Sequence, residues 1–535
     1  DTGDGRTHYG GVYVQDSWRI ASNLTLNYGL RWDVSQPWYD TQNRVSSYVS
    51  GEQSRVYPTA PEGYVFPGDP GVSRGLSPTR WNNFGPRIGL AYSPSSSDGF
   101  WSHITGGPGK SSVRASYGLF YTSVEDLQQF YSFGEQPFVL FYFSPSPPLL
   151  ATPFINRSNG TSNGQRFPYV PIAKGDPTAN FSPFLPISSD PGFATNNVTP
   201  YAEHYSFSLQ RQIGQKDLLT ISYVGTQGHH LLVNVQPHPG VQSLCLFLSN
   251  PANVAPGTAT CGPFGEDSTY TTASGQTING TRGPQFPSTI GGTALISSEG
   301  NSSYNALEVS LRHSFGPLSF LASYTFGKSL DLASSSVANL LYPYDLGLNR
   351  GLSAFDSTHN FVISYDYRLP FDKLFGGRWN RLTSGWDLAG ITRFSTGFPI
   401  SLQDSGDRAL LGGAGFAAED RPNYNGGPLE LGQNNPRSGL PYFDVNQFSQ
   451  ENLGFIGTAD NRFFHGPGIA NYDLALLKDL PLTERFRLQF RGEFFNVFNH
   501  AQFLNPSGNI NGGTFGLITS ARDPRIGQVA VKLLF

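Results

Sequence analysis

The pair of histidines in "GHH" (Gly228-His229-His230) would ligate a metal if a third donor joined it; the other reading is the end of a β-strand. Glu203-His204 lacks the second His of a zinc-protease helix and sits in a strand-like segment. "DSGD" (Asp404 to Asp407) and "DTGDG" (Asp1 to Gly5) weakly resemble calcium loops, without the closing bidentate Glu such loops use. The glycines of Gly412-Gly413-Ala414-Gly415 lack the strand-to-helix setting of a phosphate loop. The chain therefore reads as a non-enzyme with no catalytic residue, no resident metal and no cofactor. Cys245 and Cys261 stand in a Gly/Pro/Thr-rich stretch. Two cysteines alone cannot build a structural zinc site. They read as a loop disulfide of an oxidising compartment, contributing roughly 3 kcal/mol through loop-closure entropy; two unpaired thiols are the alternative.

The elements that would carry such residues are unusual in composition. Charged residues make up 14% of the chain, aromatic residues another 14%, and there are 62 Gly and 40 Pro. A soluble domain carries about 25% charged residues. Aromatic excess suits strands and membrane interfaces. The net charge of −4 offers no basic surface for nucleic acid. No run of about 20 apolar residues forms a transmembrane helix. A barrel strand, however, needs only about ten residues, half of them apolar. With no Met and no signal peptide at Asp1, the sequence reads as a mature or truncated piece of something longer.

Alternation and turn signals predict about thirteen strands, at 9–20, 24–35, 85–94, 111–122, 203–213, 217–227, 303–315, 318–330, 359–370, 384–396, 471–480, 485–499 and 525–535. No helical period competes, apart from one short turn at 124–130. Links after the odd-numbered strands are short or medium; those after the even-numbered strands (36–84, 123–202, 228–302, 331–358, 397–470, 500–524) are long. Transmembrane barrels alternate in this way, with short periplasmic turns and long extracellular loops. The apolar loop 131–154 is read as packed over a barrel mouth, with membrane insertion as the alternative.

Each strand has one greasy and one polar face. In "RFRLQFRGEFFNVFN" (Arg485 to Asn499), Phe486, Leu488, Phe490, Phe494 and Phe498 alternate with Arg485, Arg487, Gln489, Arg491 and Glu493. If the apolar face meets lipid, a wet or plugged lumen receives Arg31, Asp33, Arg87, Arg114, Gln210, Glu308, Arg312, Asp366, Arg368, Asp387, Arg393, Arg487, Arg491 and Glu493. A lipid-facing Arg or Lys at the midplane would cost about 2–4 kcal/mol. The expected fold is thus an all-β, antiparallel transmembrane barrel. A soluble sandwich would also accept any single strand, but not the loop asymmetry and the chain end together. In "VAVKLLF", Val529, Val531, Leu533 and Phe535 share the lipid face.

"YGGVYVQDSWRIASNLTLNYGLRWD" (9–33), "NNFGPRIGLAYSP" (82–94), "GEFFNVFNHAQF" (492–503) and "RIGQVAVKLLF" (525–535) resemble the barrel of TonB-dependent outer-membrane transporters, most nearly the Oar-like group. The resemblance implies that residues 1–535 are the C-terminal portion of a 22-stranded barrel. The plug and the N-terminal carboxypeptidase-regulatory-like domain are absent from these residues. It further implies a bacterial outer-membrane location, import of an unnamed solute, and partnership with the TonB complex, the plug, outer-membrane lipid and the barrel-assembly machinery. Phe535 resembles the C-terminal signal that this machinery reads. A passive channel or a surface adhesion protein on the same barrel is the alternative.

Overall fold

The computed structural model describes residues 3–123, 137–138, 150–153, 155, 159–161, 172–173, 175–185, 187, 192–283, 294–335, 340–342, 344–376, 379–412, 420–431 and 439–535. The short turn expected at 124–130 and most of the apolar loop 131–154 lie outside them.

Period-2 alternation produces one antiparallel wall. Its strands are β1 (Tyr9–Ala21), β2 (Leu24–Ser35), β3 (Asn83–Tyr92), β4 (Ser111–Tyr121), β5 (Tyr201–Ile213), β6 (Asp217–Val235) and β7 (Leu295–Phe315). They continue as β8 (Leu318–Asp331), β9 (His359–Arg368), β10 (Trp386–Ser395), β11 (Ile469–Pro481), β12 (Arg487–Phe495) and β13 (Ile526–Leu534). Each strand pairs with its sequence neighbours, and the two-residue strand Gly351–Leu352 adds to the end of β8. The two-residue hairpin β7–β8 turns on Gly316 and Pro317, with Gly316 at φ 70°, where a Cβ would strain the backbone.

The wall departs from expectation in closure and in extent. Among the described residues it is an open sheet, not a closed barrel. β1 and β13 are its edges, and in an antiparallel meander of thirteen strands these run in the same direction, so they cannot complete an antiparallel ladder. β6 and β7 reach well past the expected 227 and 303, pairing as far as Val235↔Leu295 across register shifts near Gly228 to Val233. "GHH" is therefore interior to β6 rather than its end, and His230 takes φ 56° there. β12 stops at Phe495, because Asn496 and Asn499 adopt positive φ and turn the chain; Phe498 lies beyond the strand. Short helices, absent from the sequence reading, occur at Gly99–Thr105, Gln242–Ser249, Phe371–Leu374 and Asn380–Thr383, all in connections.

The long connections pack on one another to form a cap at one end of the wall. Tyr48, Tyr57, Tyr64 and Phe66, after β2, bury themselves with Phe181 and Phe184, after β4. Ile400, Leu402, Phe443 and Phe448, after β10, pack with Phe515, after β12. Nearly all the large buried side chains of the described residues are in this cap. The faces of the wall remain largely uncovered.

Candidate functional site

Residues paired across an antiparallel ladder point to the same face, so the register assigns the side chains of the wall away from its register shifts. Tyr13↔Arg31, Gly29↔Arg87, Ala91↔Arg114, Ser112↔Gln210 and Thr220↔Gln210 carry one face from β1 to β6. Ser222↔Glu308, Leu218↔Arg312, Ser319↔Asp366, Arg368↔Asp387 and Val362↔Arg393 continue it to β10, with Arg312↔Leu321 as the β7–β8 link. Asp387↔Leu477, Leu477↔Arg491 and Ala475↔Glu493 bring it to β12. All fourteen polar residues singled out from alternation thus share one face, including Asp33 and Arg487.

Several of them pair locally. Arg31 Nε donates to Asp33 at 2.8 Å, and Arg31 Nη2 donates to the Tyr9 hydroxyl at 2.7 Å. Arg368 meets Asp387 at 3.4 Å, and Arg491 meets Glu493 at 2.5 Å. Arg487 pairs with Asp479 at 3.3 Å, Arg393 Nε donates to Asn360, and the Arg87 guanidinium lies over the Phe120 ring. Arg114 and Arg312, distant in sequence, come together with Gln210 around a depression at the short-connection end.

The opposite face exposes Val12, Val14, Leu30, Ile88, Phe207, Leu307, Phe394, Phe490, Val529 and Val531, with Val529 89% and Val12 66% exposed. A soluble protein rarely leaves so large a contiguous apolar surface uncovered. Its charged interruptions are Asp16, Glu203, Arg211, Asp217, Lys328 and Lys478. Most stand towards strand ends, and Lys478 reaches out to the Ser384 carbonyl and the Trp386 ring. Phe535, just past β13, is 96% exposed.

On the polar face, where wall meets cap, lies a cavity of about 700 Å³. Thr226, Ser302, Tyr304, Thr325, Ser329, Asp331 and Asn360 line it from β6 to β9, and Thr122 and Pro200 line it from the ends of β4 and β5. Side chains from β4 to β9 share one cavity, so the wall curls toward its polar face.

Above it, buried carboxylates knit the cap. Asp407 accepts the N–H of Gly412 at 3.0 Å and of Phe264 at 2.7 Å, tying the connection after β10 to the one after β6. Asp404 accepts the Gly406 N–H and the Asn511 amide, which ties in the connection after β12. The two aspartates of "DSGD" are thus fully buried and turned to amide donors. Among the described residues no three His, Cys, Asp or Glu are grouped to hold a metal. Glu451 lies against Asp404 and Asp420; burial, then these neighbouring charges, push its carboxyl up to about 8. Burial likewise raises Asp420 to about 7, and raises Glu266 beside Asp407. Spacing in sequence could not reveal these groups, since only long-range packing joins residues 266, 404, 420 and 451. Cys245 and Cys261 form a disulfide, with Cα atoms 5.3 Å apart, inside a buried cluster that includes Leu248, Tyr270 and Leu410. His229 faces Glu203 at 3.4 Å and stacks on Tyr201.

The family model of the outer membrane beta barrel domain matches residues 1–528. No curated protein sequence matches the chain. Among solved structures, the outer membrane transporter YddB from Escherichia coli is similar at 11% identity and a TM-score of 0.45, over 99% of this chain and 54% of that one. The pyoverdine outer membrane receptor FpvA from Pseudomonas aeruginosa is similar at 11% identity and a TM-score of 0.41, over 100% and 43%. The FrpB iron transporter from Neisseria meningitidis is similar at 11% identity and a TM-score of 0.41, over 99% and 46%. The chain spans about half or less of the length of these structures. With a family match over nearly its whole length, and a sheet whose exposed face is apolar, the chain belongs to the outer membrane β-barrel domain family and resides in the outer membrane.

Proposed function

We propose that this chain is the C-terminal part of a TonB-dependent receptor barrel of the Oar-like type, which binds a solute in its cap and passes it through a plugged lumen. The observation that carries the reading is the two-faced wall. Its exposed face is greasy enough for lipid, and its other face is charged along its length and curls around a cavity under the cap. In this reading the long connections are extracellular, and Arg31, Asp33, Arg114, Glu308, Arg312, Asp366, Arg368, Asp387, Arg393, Arg487, Arg491 and Glu493 face the lumen and hold the plug. Strands supplied from outside these residues complete a 22-stranded barrel. Phe535 serves as the assembly signal, and TonB, driven by the inner-membrane proton gradient, rearranges the plug to release solute inward.

The test uses the outer-membrane protein as the cell makes it. In planar bilayers a plugged receptor stays closed, and after crosslinking in cells it is recovered with TonB. A steadily open pore with no TonB adduct supports the passive channel instead and ends the receptor reading.

A further inference from the structure

We propose that the cavity under the cap binds a neutral, polyhydroxylated solute of oligosaccharide type, an inference that rests on the receptor reading above and names its solute class. Ten of the nineteen described residues lining the cavity are Ser or Thr, among them Thr226, Ser302 and Thr325, and Asn360 adds an amide. A hydroxyl both donates and accepts, so such a wall matches sugar hydroxyls, which do the same. Tyr304 and the 60% exposed Phe355 supply aromatic surface against which the C–H face of a sugar ring packs.

The charge pattern argues against ionic solutes. No Lys or Arg is among the described lining residues. A buried anion would lose its hydration with no cation to receive it. The two carboxylates on the lining are engaged. Asp331 pairs with Arg462 at 2.5 Å and accepts the Ser334 hydroxyl at 2.8 Å. Asp356 accepts the Ser329 N–H at 2.6 Å and contacts Thr358 and His465, each at 3.0 Å. Among the described lining residues a cationic solute therefore meets no carboxylate still waiting for a partner. The cavity volume is in the range that buries a small-molecule ligand.

Calorimetric titration of the detergent-purified natural protein tests this with four probes: maltohexaose, cellohexaose, ferric citrate and a glucosamine hexamer. At least one neutral hexaose is expected to bind, with the two charged probes about tenfold weaker or worse at physiological salt, since unpaired buried polar groups discriminate by at least that much. Phe355→Ala is expected to weaken the neutral hexaose about tenfold, the equivalent of about 1.4 kcal/mol, and Phe355→Tyr to restore it. Gel mobility of the unheated barrel confirms that each variant is folded. A charged probe that binds more tightly than both hexaoses and responds to Phe355→Ala overturns the solute class while leaving the receptor reading standing. If no probe's binding responds to Phe355→Ala, the cavity is not the solute site and the inference falls; TonB crosslinking and bilayer closure still judge the receptor reading separately.

Discussion

The wall and the cap are built from one chain on opposite plans. In the cap, aromatic and aliphatic side chains turn inward, as Tyr57, Phe66, Phe443 and Leu410 do, and Asp407 closes on the backbone amides of Phe264 and Gly412. In the wall, Phe490, Val529 and Leu30 point outward, and the charged partners Arg491 and Glu493 share the inward-curling face. The difference teaches that hydrophobic residues seek whatever apolar phase is at hand. The cap must make its own from packed loops, whereas the wall uses lipid. Between its two open edges, β1 and β13, its backbone polar groups are satisfied by the ladder, as a spanning sheet in hydrocarbon requires.

Breaking the cap's hold on the end of β8 should give the largest effect. Arg462→Ala leaves Asp331, 4% exposed, buried without its cation, at a cost of about 3–5 kcal/mol. Amide hydrogen exchange should accelerate in the connection after β10 while the strands stay protected. Breaking the wall alone comes next. Phe490→Arg places a charge on the lipid-facing side at about 2–4 kcal/mol, and membrane-assembled protein should fall while the cap sequence is untouched. Removing the cap's covalent closure by Cys245→Ser with Cys261→Ser should cost roughly 3 kcal/mol, read as protease sensitivity between β6 and β7.

pH should act on the cap. Asp420 and Glu451 keep their protons in the folded cap up to about 7 and about 8, against ordinary values of 3.8 and 4.5. At these two groups the folded cap binds more protons than the unfolded one, so the stability they contribute is fully present below the ordinary carboxyl range and is lost as pH rises through 7 to 8. Proteolysis of the cap should quicken over that window, and Glu451→Gln should flatten the profile. The smallest change is Arg491→Gln. It removes a partly exposed pair on the polar face, its side chains 28% and 18% exposed, worth about 0–1 kcal/mol, so assembly should proceed as in the parent.

This contrast also explains what alternation could reveal. Strands such as β2 and β12 were legible because lipid on one side and polar surroundings on the other impose a strict period of two on Leu24 to Asp33 and Arg487 to Phe494. The outer parts of β6 and β7 were not. Gly228 to His230 interrupt the period, and "SSEGNSS" (297–303) reads as loop, yet ladder pairing and the bridge between Phe193 and Ile296 hold it extended. The cap core was illegible for a further reason: Tyr57, Phe138 and Phe181 have no common period and meet only through tertiary packing. Asp404 and Asp407 drew notice as a possible ion loop, whereas their partners Phe264 and Asn511 lie far away along the chain.

The central claim is that the two faces of one strand meet different solvents. Single cysteines placed in turn at Leu488, Gln489, Phe490, Arg491, Gly492 and Glu493, spin-labelled in the natural protein in bilayers, test it most directly. The native cysteines are joined to each other and leave the label a single site. The account predicts a period of two, with labels at 488, 490 and 492 relaxed by lipid-dissolved oxygen and those at 489, 491 and 493 relaxed by a water-soluble nickel chelate. Equal access of the nickel chelate to both sets would contradict it.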